Sequence, residues 1–113
     1  MPSSNMDDGF LVVFITAGNL EEGRKIASEL VGQRLAACVS IIPQVESVYR
    51  WQGEVCHDNE VLLVAKTSRE RFPALETAVK GLHSYQVPEI IALPIERGSE
   101  QYLNWLQESV TLA

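Results

Sequence analysis

Residues 36–67 read Ala-Ala-Cys-Val-Ser-Ile-Ile-Pro-Gln-Val-Glu-Ser-Val-Tyr-Arg-Trp-Gln-Gly-Glu-Val-Cys-His-Asp-Asn-Glu-Val-Leu-Leu-Val-Ala-Lys-Thr, two runs rich in β-branched and aromatic residues joined by Gln52-Gly53. Such side chains suit a pleated ladder. Glycine tolerates positive φ, so Gln52-Gly53 can form the two-residue primed turn that joins antiparallel strands tightly. The turn sets the register: Trp51 faces Glu54, Tyr49 faces Cys56, Val48 faces His57 and Glu46 faces Asn59. Tyr49 and Trp51 then lie on one face and Val48 and Val55 on the other, and an arm apolar on both sides must be covered on both. At about 3.3 Å per residue the first strand runs to roughly 50 Å, against a radius of gyration near ~13 Å for a compact domain of this size. The arm overshoots its own core. The simplest partner to bury its end is a copy of the same chain.

Outside this hairpin, the 113-residue chain holds enough apolar content for one core and needs no staples. Residues 9–113 are expected to form a single domain. Met1 to Asp8, polar, acidic and without periodicity, is expected to be a disordered tail. A net charge of -6 disfavours polyanions, which argues against nucleic acid and anionic membrane as partners. No stretch approaches the roughly 20 apolar residues of a membrane span, and the start lacks a basic segment followed by an apolar one. The expected location is the cytoplasm. The register separates Cys38 from Cys56 along the hairpin, whereas bridged Cα atoms must lie within about 7 Å, so no intrachain disulfide is expected. Reduced thiols fit a cytosolic protein.

Phe10 to Thr16 is a continuous apolar run of strand length, read as a central strand. Asn19 with Glu22 three residues on is a variant capping box. Behind it Gly23, Ile26, Ala27, Leu30 and Val31 mark one face of a helix ending near Gly32. Pro43 cannot donate to a ladder and marks a bulge or bend on an edge strand. Ser68 can cap a second helix with Phe72, Leu75, Val79 and Leu82 inward, although Pro73 suits only its start. Val87 to Ile95 reads as a strand. Ser99 caps a last helix with Tyr102, Leu103, Leu106 and Val110 inward. The order βαββαβ plus a terminal helix gives an α+β fold of the ferredoxin-like kind, a four-stranded antiparallel sheet with both main helices on one face.

Leu35-Ala36-Ala37-Cys38-Val39, Ile42-Pro43, Ser47, Tyr49-Arg50-Trp51-Gln52-Gly53, Glu60, Lys66-Thr67, His83-Ser84-Tyr85, Val87-Pro88-Glu89-Ile90 and Tyr102-Leu103-Asn104-Trp105, in that order, resemble the CutA divalent-cation-tolerance family. The resemblance runs from about Phe10 to the C-terminus. It implies a homotrimer whose long hairpins pair with neighbouring subunits, a role in tolerance of copper and other divalent metals, a shape similar to PII signalling trimers, and no enzyme activity.

Copper-binding members of that family carry a cysteine near the end of the first strand and two histidines before the tyrosine of the loop. Here those positions read Ile15 and Leu82-His83. His83 is therefore the remaining imidazole candidate for Cu(II) or another divalent metal, or else an ordinary polar loop residue. Cys38 is a soft candidate ligand or a small core residue. No cofactor is required. His57-Asp58-Asn59-Glu60 offers ligand atoms, but alternation sends His57 and Asp58 to opposite faces. Tyr49, Trp51 and Tyr85 are candidates to line a small-molecule cleft between subunits, with Lys66 and Glu89 as polar anchors, or to form interface core. Trp105 is expected to pack on a neighbour. Among enzymes, acylphosphatase offers the precedent on this fold, but the loop Thr16-Ala17-Gly18-Asn19 has no arginine to cradle phosphate. No nucleophile-base grouping assembles either. Two functions remain: a metal-tolerance protein, or a trimeric regulatory scaffold that senses a small ligand or docks a partner protein.

Overall fold

The computed structural model describes residues 9–112. The expected disordered tail, 1–8, lies outside them. Seven elements follow in order: β1 (Phe10–Ala17), α1 (Leu20–Gly32), β2 (Cys38–Trp51), β3 (Glu54–Ser68), α2 (Phe72–Leu82), β4 (Ile90–Pro94) and α3 (Glu100–Val110). The strands form one antiparallel sheet in the order β2-β3-β1-β4, which is the split βαβ arrangement.

Alternation along the central strands separates two layers. Val13 and Ile15 of β1 and Leu63 and Ala65 of β3 have no exposed surface and pack with Ile26 and Leu30 of α1 and Leu75 and Val79 of α2. The opposite face is covered at one end by α3, where Leu106 and Val110 meet Ala37, Phe10 and Ile95. The rest of that face stays open. Phe14 sits between Val64 and Ile91, and Val12 between Lys66 and Leu93, with Ile91 54% and Leu93 55% exposed.

The hairpin register is the one read from Gln52-Gly53: Trp51 pairs with Glu54, Tyr49 with Cys56, Val48 with His57 and Glu46 with Asn59. Gln52 at φ 49° and Gly53 at φ 85° both take the left-handed conformation of the primed turn. The ladder is irregular between Ile42 and Val45, around Pro43, and β2 is an edge strand. The arm draws the described residues out to 49 Å on their long axis, with a radius of gyration of 15.1 Å. Val48, Val55, Tyr49 and Trp51 are all exposed on the single chain. Both cysteines are free, Cys38 opposite Lys66 and Cys56 opposite Tyr49, about 30 Å apart along the ladder.

Three local expectations change. Asn19 accepts from the Glu22 N–H at 2.8 Å, but the Glu22 carboxylate turns to Gly18 and Ser84 instead of closing the box on Asn19. The second helix begins at Phe72 with Arg71 as N-cap, and Ser68 Oγ accepts the Arg71 N–H in the turn before it. The last strand spans Ile90–Pro94, not Val87–Ile95. Pro88 has no N–H for a ladder, and further upstream the N–H groups of Ser84 and Tyr85 are committed to Glu22 and His83.

Candidate functional site

The α2–β4 connection is built on one carboxylate and one imidazole. Glu22 Oε2 accepts the Ser84 N–H at 2.7 Å and Oε1 accepts the Ser84 hydroxyl at 3.0 Å and the Gly18 N–H at 3.3 Å. Burial pushes the Glu22 carboxyl up, but the hydrogen bonds from Ser84 and Gly18 outweigh it and hold the group below its ordinary value. His83, with no exposed side-chain surface, bridges two backbones. The Thr16 carbonyl can only accept, so Nε2–H donates to it at 2.5 Å, and Nδ1 accepts the Tyr85 N–H at 3.0 Å. That assigns the neutral Nε2–H tautomer. Sequence reasoning missed Glu22, whose place in a helix N-terminal turn reads as capping and gives no sign of a partner far along the chain.

This frame projects Tyr85 toward the base of the hairpin, where its hydroxyl donates to Glu60 Oε2 at 2.7 Å. Tyr49 makes the equivalent bond to Asp58 Oδ2. Asp58 pairs with Ser47, so Tyr49 is its diagonal neighbour on one face, and Glu60 follows two residues on. The Asp58 hydrogen bond, with some burial, pushes the Tyr49 phenol up to about 12. Burial first, and then the bond to Glu60, raises the Tyr85 phenol as well.

Between hairpin and connection lies an open cleft of about 600 Å³. Tyr49, Trp51, Tyr85 and Glu89 line it together, as do Asp58 and Glu60. The register already placed Tyr49, Asp58 and Glu60 on one face, so alternation carried the signal for the two carboxylates. Lys66 is elsewhere, opposite Cys38 and Val12. Trp105 is also elsewhere, 5.4 Å between ring centroids from Tyr102, which in turn approaches Cys38 Sγ at 3.6 Å. Among the described residues, no three His, Cys, Asp or Glu side chains converge as a metal site. Cys38 and His83 belong to different neighbourhoods, and both His83 nitrogens are spent on backbone groups.

The model of the CutA1 divalent ion tolerance protein family matches residues 11–109. The chain belongs to the CutA1 family. The divalent-cation tolerance protein CutA of Thermus thermophilus is 55% identical over 98 residues, covering 87% of this chain and 95% of its own. A chloroplastic CutA of Arabidopsis thaliana is 48% identical over 99 residues, covering 88% of this chain and 54% of the plant protein. The crystal structure of CutA1 from Oryza sativa superposes with a TM-score of 0.90 at 43% identity, over 96% of this chain and 100% of the other. Against the CutA1 resemblance, the two replaced copper-ligand positions are apolar core. Ile15 is fully buried, and Leu82 packs on the same cluster.

Proposed function

We propose that the chain acts as a homotrimeric, non-enzymatic protein of divalent-cation tolerance, located in the cytoplasm. The observation that carries association is the hairpin arm, apolar on both faces and exposed at Val48, Tyr49, Trp51 and Val55 in the single chain, beside an open apolar sheet face at Ile91 and Leu93, and the CutA1 resemblance supplies the number three. Burying such side chains stabilises association by roughly 1.5–3 kcal/mol each. Family membership supports the cation-tolerance role, and the free thiols of Cys38 and Cys56 support a reducing compartment. In this reading Cu(II) is a weak ligand. A site at His83 must first release Nδ1 from the Tyr85 N–H, and Cys38 is a separate soft donor.

A gene deletion in the host tests the role, with growth followed against rising Cu(II) and Zn(II). The expected result is lowered tolerance, restored by the wild-type chain and not by Trp51→Asp. Unchanged tolerance to both metals would contradict it.

The cleft supports a second reading, a trimeric scaffold that senses a small ligand. Its volume lies in the range of small-molecule sites, and aromatic walls with a few convergent polar groups are the usual lining.

A further inference from the structure

We infer that His83 is a positioning residue and not a metal ligand in this chain: the positions where the resemblance implies copper ligands are here two apolar core residues and one imidazole that locks Tyr85 in place.

The donor set does not fit a metal. Of the three implied positions, Ile15 is fully buried in the core and Leu82 packs on the same cluster, so neither offers a lone pair. His83 has no exposed side-chain surface, and the atoms that cover it belong to its own chain. Association with further copies can only add cover, so the ring is closed in the assembly as it is in the single chain.

The lone pairs are also spent. Nε2 carries its proton to the Thr16 carbonyl at 2.5 Å, and the one free lone pair, on Nδ1, accepts the Tyr85 N–H at 3.0 Å. The carboxylate beside it, Glu22 Oε2, lies 3.6 Å from Nδ1 and accepts the Ser84 N–H at 2.7 Å. Two consecutive backbone N–H groups therefore occupy the two acceptors that a cation would share, and each points a positive hydrogen toward the place of the cation. A metal at Nδ1 must displace the Tyr85 N–H. One at Nε2 must remove a proton and break the bond to β1.

The same bonds define what the ring does. It ties the backbone of β1, at Thr16, to the backbone of the α2–β4 connection, at Tyr85, and its centroid lies 4.6 Å from that of the Tyr85 ring. Gly18 completes the seat, since a Cβ there would stand 3.4 Å from the Tyr85 ring. His83 is extended, at φ -84° and ψ 141°. A short side-chain acceptor can reach the N–H two residues on, as asparagine does in turns, so the Tyr85 half of the lock is one that asparagine can also make.

Nuclear magnetic resonance of the full chain in its solution assembly tests this, with Zn(II) as a diamagnetic probe and His57→Gln to assign the two imidazoles. The His83 ring is expected to show the Nε2–H tautomer and to keep its nitrogen shifts when Zn(II) is in molar excess. His83→Ala is expected to speed hydrogen exchange at the Tyr85 amide roughly tenfold, as the loss of one hydrogen bond allows, whereas His83→Asn keeps it near the wild-type rate. A His83 ring shift that saturates with Zn(II) would overturn the assignment, whether or not either variant folds. An unchanged Tyr85 rate in His83→Ala, or a rate in His83→Asn as fast as in His83→Ala, would overturn the lock. The cation-tolerance role, tested by gene deletion, stands or falls separately.

Discussion

Tyr85, on the connection after α2, and Glu60, on the hairpin, are joined by a 2.7 Å hydrogen bond from the phenol to Oε2. Two parts of the chain distant in sequence are thereby fixed across one cleft. A hydrogen bond to a charged acceptor contributes about 1.5–3 kcal/mol when buried, and the partial exposure of Tyr85 places this one at the low end. Tyr85→Phe should keep the fold and lose about 1.5 kcal/mol. Urea denaturation checks the value, and an unchanged midpoint would show that the bond is not held in solution.

The phenols also predict a titration. A group whose folded pKa is raised contributes stability that is complete below its unfolded value, near ~10 for tyrosine, and is lost as pH rises through the folded value. For Tyr49 that window closes at about 12. Ultraviolet titration should show its ionisation delayed, and Asp58→Asn should return it toward ~10, because the Asp58 bond is the main cause of the shift. A Tyr49 that titrates normally in the wild type would contradict the pairing.

Glu22 has the opposite sign. Its folded pKa is lowered, so its contribution is present above the unfolded value, near ~4.3, and is lost as pH falls through the folded value. Glu22→Gln should cost about 2 kcal/mol at pH 7 and progressively less in acid. Paired denaturation curves at neutral and low pH measure this, and a pH-independent difference would count against the lock on Ser84 and Gly18.

How much of this was legible in advance depended on the range of the interaction. The hairpin register followed from the Gln52-Gly53 turn because each step from a tight turn moves both strands together, and Pro43 marked the irregularity because it lacks an N–H. The same register contained the Asp58 and Glu60 face. Long-range polar partners were not legible: the reach of Glu22 to Ser84, and of His83 to the Thr16 carbonyl, depends on how the connection folds back. That fold also shortened the last strand to Ile90–Pro94. Lys66 lies opposite Cys38, at the other end of β3 from the cleft within the single chain.

Copper provides a further prediction. With both His83 nitrogens bonded to backbone groups and Ile15 buried in the core, Cu(II) affinity should be weak. Because imidazole must be neutral to bind metal, affinity should fall further in acid. Titration of wild type and His83→Ala decides this: tight binding that survives the substitution would move the site away from His83, with Cys38 the next residue to replace.

The hairpin tip offers the sharpest perturbation. Trp51 is 46% exposed in the single chain and lies beside Tyr49 on the arm. In the proposed assembly Trp51→Asp puts a charge where apolar surface is to be buried, so it should dissociate or unfold the oligomer. Sedimentation velocity on the variant reads this out, and an assembly indistinguishable from wild type would exclude Trp51 from the interface.

The most direct test of the account is the mass of the wild-type protein in solution, measured by light scattering during size-exclusion chromatography. An arm apolar on both faces and an open sheet face bearing Ile91 and Leu93 require an oligomer, and the CutA1 resemblance sets its number at three, so one species at three times the 12.6 kDa chain mass, persisting on dilution, is expected. A folded species at 12.6 kDa would contradict it.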